Sequence, residues 1–353
     1  MRFQNNKLRT MNQKELQAEW MQSGNVLKRV TWSDGWAAVG LLVWLLFMWL
    51  SPRTSEGLLQ TIENLLALAT LVHLPLAIGL LYRPGDPIWG GDLLHFAQRF
   101  QPLAAGAVLI SLWLPRGLLA GLFVLPWLAI TVSMAFSALS WLFHNRWQAN
   151  HQLLFCAGML YLPIGAGWLA LYRLGVRPLG FADVIVLLTG VHFHYIGFVL
   201  PIIAGTVGRW LRAGDLRSPL YPWLAAGIIV STPLIAAGIT LSPMVEILGV
   251  VLLLASVVGL ATVLATQVIA HLTVRLVREL LALSMVSLLM AISLGVVYGL
   301  GEFLGQQWIT IPQMVTFHGW LNGVGFALCG LLGWRLIFPP AVSDGTALLE
   351  QEW

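Results

Sequence analysis

Two short runs combine proton-handling side chains with surroundings too apolar for water: Val191-His192-Phe193-His194-Tyr195 and Thr316-Phe317-His318-Gly319-Trp320-Leu321-Asn322-Gly323. His318 and Asn322 are four residues apart, so on a helix they share one face. His192 and His194 are two apart and diverge by about 200° on a helix. One imidazole is therefore expected to face an interior site while the other packs elsewhere. Both could hold one ion only if the helix is interrupted, and Gly190, Gly197 and Pro201 leave room for that. Glu63, beside Asn64, is the third element of the set. Desolvation keeps a carboxylic acid protonated and histidine titrates near neutrality. With Asn322 orienting an oxygen atom, Glu63, His192, His194 and His318 form a set able to protonate or deprotonate a lipophilic molecule. The same groups could instead relay protons during transport.

Other chemistries find less support. Zinc needs three or four His, Cys or carboxylate ligands, and non-haem iron needs two His and a carboxylate. His192 or His194 with His318 and Glu63 could supply the latter, but there is no HExxH, His-rich box or CxxC. No metal or other cofactor is expected. P-loop and GxGxxG contexts are absent, as is a recognisable Ser/His/Asp pattern. Cys156 and Cys329 both lie in apolar segments, which argues against a disulfide framework.

The elements that must position these residues follow from hydropathy. Of 353 residues, 58% are hydrophobic and 10% charged, with mean hydropathy +0.81; a soluble domain carries about 25% charged residues. At about 20 apolar residues per span, the chain reads as an all-α, polytopic transmembrane bundle of about ten spans: 32–51, 58–82, 98–114, 117–143, 151–172, 182–206, 219–241, 244–270, 280–303 and 314–338. A tail over 1–30, which could hold a short interfacial helix, precedes the helical domain 31–338, and a second tail covers 339–353. With the N-terminus inside, fifteen of the nineteen lysines and arginines fall on one side, leaving only Arg53, Arg116, Arg173 and Arg177 on the other. That loop-by-loop alternation puts both termini in the cytoplasm. The net charge of +4 follows this topology, so no nucleic-acid partner is expected; membrane lipids and a lipophilic small molecule are.

Depth along the spans puts Glu63, Glu246, Glu302, His318 and Asn322 in an outer-half layer, with His192 and His194 beneath. Each has a plainer alternative. Glu246 and Glu302 lie near span ends, where water reaches them. Asp183 sits where a carboxylate favours a helix N-terminus. His73, before Pro75, could bond a carbonyl that the proline frees. His144, His151 and His271 are expected at interfaces and His95 in the Arg83–Ala97 loop, a gate or a connector. His318 and Asn322 could simply tie helices together.

At His192-Phe193-His194-Tyr195 with Gly197-Phe198, and at His318-Gly319 with Asn322-Gly323 and Gly325-Phe326, the chain resembles the YndJ-like family of bacterial membrane proteins. The resemblance covers most of the membrane region. It implies a bacterial inner (plasma) membrane location, a multi-helix fold and, by the family's usual label, transport; no catalytic residues carry over. The expected function is an integral membrane enzyme of isomerase, cyclase or hydrolase type. The alternative is a proton-coupled secondary transporter, and a structural or sensory component comes third.

Overall fold

The computed structural model describes residues 31–50, 57–81, 91–144 and 150–337, with nothing said of the side chains of His144 and Ala213. Both tails, and most of the Arg83–Ala97 loop, lie outside the described residues. Those residues form ten long helices and no strand: α1 Trp32–Leu50, α2 Gly57–Leu81, α3 Gly91–Trp113, α4 Leu118–Phe143, α5 Asn150–Leu174, α6 Asp183–Arg212, α7 Tyr221–Leu241, α8 Pro243–His271, α9 Arg275–Phe303 and α10 Ile311–Ile337. All except α3 are long and apolar enough to cross a bilayer, so the chain is a polytopic membrane bundle. Helix α3 has 23 residues but carries Asp92, His95, Gln98, Arg99 and Gln101 in its first half. It begins at Gly91, so His95, expected in a loop, lies on its first turns and bonds the Gly91 carbonyl through Nδ1 at 2.9 Å.

The described chain separates into two compact units. One comprises Arg29–Gln148 and Phe155–Ile202, and thus α1–α4, most of α5 and the first part of α6; the other comprises Ala149–Leu154 and Ile203–Ile337. In the first unit α2 is the central helix, buried almost without a break from Asn64 to Leu81. It is also irregular, widening to a π-helix over Ala69–His73 immediately before Pro75. In that register Leu74 N–H donates to the Ala69 carbonyl. The next donor along would be Pro75, which has no N–H, and its acceptor would be the Thr70 carbonyl. Gln101 of α3 donates to that carbonyl through Nε2 at 2.7 Å. The polar residue that makes α3 a poor span by composition thus completes the backbone of α2. Trp44 Nε1 of α1 donates to the Asn64 carbonyl and Tyr195 of α6 to the Leu65 carbonyl, each at 2.8 Å.

Helix α6 repeats the device: a π-helix over Phe193–Val199 precedes Pro201. In the second unit α7 packs on α8, α8 on α9 and α9 on α10, and α10 is π-helical over Val315–Gly319 and Leu321–Leu328. π-Bulges inside α-helices are uncommon and often accompany functional positions.

Close packing of α1 on the π-segment depends on Gly40, where a Cβ would collide with the Leu71 carbonyl. Gly40→Ala is expected to destabilise by about 1–3 kcal/mol, read as a lowered thermal midpoint in detergent. Gly106→Ala, with open space at the same atom, should leave the midpoint unchanged or slightly raised.

Candidate functional site

The strongest concentration of ionisable groups in the first unit lies where α2, α5 and the α3–α4 and α5–α6 connections meet. It is organised by Arg173, the penultimate residue of α5. An arginine near a span end ordinarily extends toward the interface; this one turns inward and its side chain is 3% exposed. Its Nη2 donates to the Ser111 carbonyl at 2.5 Å and to the Leu114 carbonyl. A cation at a helix C-terminus complements the partial negative charge of its last carbonyls, and here it shares the Ser111 carbonyl with Leu114 N–H. Nη1 reaches Glu63 Oε1 at 3.4 Å, and Nε is a buried donor with no acceptor among the described residues.

Tyr172, buried next to Arg173, donates through its hydroxyl to Glu63 Oε1 at 3.3 Å. The Arg116 and Arg173 guanidinium carbons lie 5.3 and 5.7 Å from its ring centroid, within cation–π range. Arg116 continues the network to Asp183 (Nη1–Oδ2 2.7 Å), which Arg177 grips with both arms of its fork (Nε–Oδ1 2.8 Å, Nη2–Oδ2 2.9 Å). Hydrogen bonding to Asp183 raises both guanidiniums above their ordinary range. Asp183 occupies the first turn of α6 as expected of an N-terminal carboxylate, but it makes no capping bond and spends both oxygens on arginines. An open cleft of about 390 Å³ is lined by Arg116, Gly175, Arg177 and Asp183.

The histidines are held differently. His194 is buried, with Nδ1 2.7 Å from the Gly190 carbonyl and Nε2 accepting from Trp127 Nε1 at 3.1 Å. A carbonyl only accepts and an indole N–H only donates, which fixes the neutral Nδ1–H tautomer and occupies both nitrogens. Gly165 leaves no room for a Cβ beside that ring. His192 points away from the core, is exposed, and bonds the Leu188 carbonyl of its own helix at 2.8 Å. The expected divergence of the two rings is what the helix presents, even with the π-segment beginning between them. His73 is buried at the end of the α2 π-segment, edge-on to Tyr195 with centroids 5.3 Å apart.

His318 and Asn322 belong to the second unit, whereas Glu63, His192 and His194 belong to the first. His318 Nδ1 lies 2.8 Å from the Ala291 carbonyl of α9, and Asn322 Nδ2 donates to the His318 carbonyl at 3.0 Å. Asn322 Oδ1 is buried without a hydrogen-bond partner among the described residues. Glu302 is exposed and Glu246 partly so; His151, expected at an interface, is buried. Among the described residues no three His, Cys, Asp or Glu side chains lie close enough to hold a metal ion.

Residues 64–326 match the family described as YndJ-like protein. The chain belongs to the YndJ-like family. It is 32% identical over 216 residues to the "uncharacterized membrane protein YndJ" of Bacillus subtilis (strain 168), a match covering 61% of this chain and 38% of that relative. The chain therefore spans well under two thirds of the relative it matches. No solved structure matches. The matched segment of this YndJ-like chain holds Tyr172, Arg173, Arg177, Asp183 and both histidine runs, and begins at Asn64, next to Glu63.

Arg116, Arg173 and Arg177 enter the sequence reading only as charges that set topology, and Tyr172 and Trp127 not at all. A signal was nevertheless present: three of the four arginines on the minority side bracket two short connections.

The His194–Trp127 bond makes a direct prediction. Trp127→Phe keeps an aromatic ring but removes the indole N–H and part of the buried volume, leaving Nε2 without its donor, and is expected to cost at least about 1–3 kcal/mol. It should appear as a lower unfolding midpoint in detergent, with the family member still folded.

Proposed function

We propose that this YndJ-like protein is a proton-coupled secondary transporter of an anionic solute, with Glu63 and Arg173 as the coupling pair. The observation that carries the reading is the unequal hold on the two charges. Arg173 is buried and anchored by two carbonyls at short range, whereas its contact with Glu63, which has 19% side-chain exposure, is 3.4 Å long. Charge-assisted N–H···O bonds are usually about 2.7–2.9 Å, so the bond to the carboxylate is the weakest of those that hold the arginine.

The chemistry follows from charge balance. Ionised Glu63 neutralises Arg173. A proton taken up by Glu63 removes that compensation and leaves a cation in a poorly solvated site, which favours an anion in its place. Proton and anion binding then promote each other, and the linkage is reciprocal. π-Helical interruptions beside Pro75 and Pro201 supply irregular backbone of the kind transporters use at substrate sites. Membership of the YndJ-like family, with its relative in Bacillus subtilis, supports a bacterial plasma-membrane location. The charge distribution between loops supports both termini being cytoplasmic, and on that topology the pair lies toward the outer side.

The enzyme reading, acid–base chemistry on a lipophilic substrate, requires imidazoles acting with Glu63. It has less support, because both nitrogens of His194 are already engaged.

The test is proton movement in proteoliposomes enclosing a pH-sensitive dye, challenged from outside with a panel of organic phosphates and carboxylates. At least one anion should acidify the lumen with the wild-type chain. Glu63→Gln, a mimic of the protonated acid, should abolish that acidification; an unchanged signal would count against the coupling role.

A further inference from the structure

We infer that the cleft formed by Arg116, Arg177 and Asp183 is a recognition site for the phosphate group of a singly charged phosphate or phosphodiester. The inference deepens the transport reading by naming its substrate class, and it rests on that reading only for what happens after binding.

A guanidinium carries five N–H donors. Arg177 uses two on Asp183 and Arg116 uses one. Both side chains line the same cleft of about 390 Å³, so several donors remain to be met there. A carboxylate brings two oxygens, whereas a phosphate group brings up to four and matches the planar fork of arginine. The volume falls within the range of small-molecule sites, about 300–1,000 Å³, and leaves room for the organic part of the ligand beside the phosphate.

Charge fixes the valence. Two guanidiniums against one carboxylate leave a single net positive charge, which one negative charge balances. Asp183 acts as an internal stand-in for the ligand: it holds both arginines in place while the cleft is empty, and competes with an incoming anion. Side-chain contacts link the cleft to the coupling pair: the Tyr172 ring lies within cation–π range of Arg116 and Arg173, and its hydroxyl bonds Glu63. An anion captured at Arg116 is thus one aromatic ring from Arg173, whose Nε has no acceptor among the described residues.

The experiment uses the full chain in a maltoside micelle, which brings no phosphate of its own. One arm titrates inorganic phosphate; the other adds phosphatidylglycerol to the micelle. Binding is read as a dose-dependent rise in unfolding midpoint. The wild-type chain should respond to at least one probe. A response to inorganic phosphate alone assigns a water-soluble phosphate, and a response to phosphatidylglycerol, with or without phosphate, assigns a lipid headgroup. Arg177→Gln, at a side chain 61% exposed, should fold normally and weaken the responding probe by about tenfold. Asp183→Asn, which removes the competing carboxylate, should tighten it, and a folding defect cannot produce that gain. Silence of the wild-type chain toward both probes, or an Arg177→Gln response equal to wild type, overturns the inference. Glu63→Gln separates the site from the coupling reading: if it binds the responding probe and still moves protons, the coupling reading falls and the phosphate site stands.

Discussion

Helix α2 is surrounded by protein along almost its whole length and is interrupted by Pro75, so each of its polar backbone groups must find a partner within the bundle. This requirement orders the first unit. Gln101, Trp44 and Tyr195, from three different helices, each donate to an α2 carbonyl. The widened turn at Ala69–His73 moves the unmet acceptor to Thr70, where Gln101 can reach it. Donors of this kind fix register as well as energy, since a helix displaced by one residue would leave both the donor and the carbonyl unpaired in an apolar interior. With α2 held so firmly, Glu63 near its start has a defined position against the end of α5.

Arg173 solves a related problem at the edge of the same unit. A buried guanidinium is costly unless its donors are met, and removing one partner of such a group typically costs about 3–5 kcal/mol. The chain meets most of that demand with backbone: the Ser111 and Leu114 carbonyls at the end of α3 both accept from it. Ser111 also donates from its hydroxyl to the Ala120 carbonyl, tying α3 to the start of α4. The arginine is therefore secured by the fold without help from its carboxylate. That independence separates a removable counter-charge from a structural salt bridge.

Hydropathy made the architecture legible. The expected boundaries of nine spans differ from the helices by at most six residues, the largest gaps at the end of α6 and the start of α9, because the chain length needed to cross an apolar layer is fixed by the layer and not by the particular sequence. Helix α3 shows where that logic weakens: Gln98, Arg99 and Gln101 delayed its expected start to residue 98, while the helix begins at Gly91. Gln101 is polar for the sake of another helix's backbone, and no property of α3 alone reports this. The site was less legible for the same reason. Glu63 stood out as a carboxylate inside a span, but its partners Tyr172 and Arg173 are more than a hundred residues away, and periodicity carries no information across such a distance. The fourfold spacing of His318 and Asn322 did place them on one face. That spacing serves in part a bond from Asn322 to the His318 carbonyl, an intrahelical use that the residue types alone cannot separate from catalysis.

The relation between Glu63 and Arg173 bears on direction as well as on coupling. If both charges were equally loose, protonation of the carboxylate would let the arginine swing toward water and solvate itself, and no anion would be needed. Because Arg173 is pinned by the end of α3, its charge stays in place when the compensation is removed, and the shortfall must be met by something that comes to it. On the proposed mechanism the coupling strength is therefore set by the carbonyls of Ser111 and Leu114 as much as by the ionisable pair. A coupling of about 1–3 kcal/mol, corresponding to an affinity change of about 5–150-fold, is the usual scale for linked sites. It lies well within what an uncompensated buried charge can supply. On that mechanism the rigid cation, not the titrating acid, is what would convert a proton into a preference for an anion.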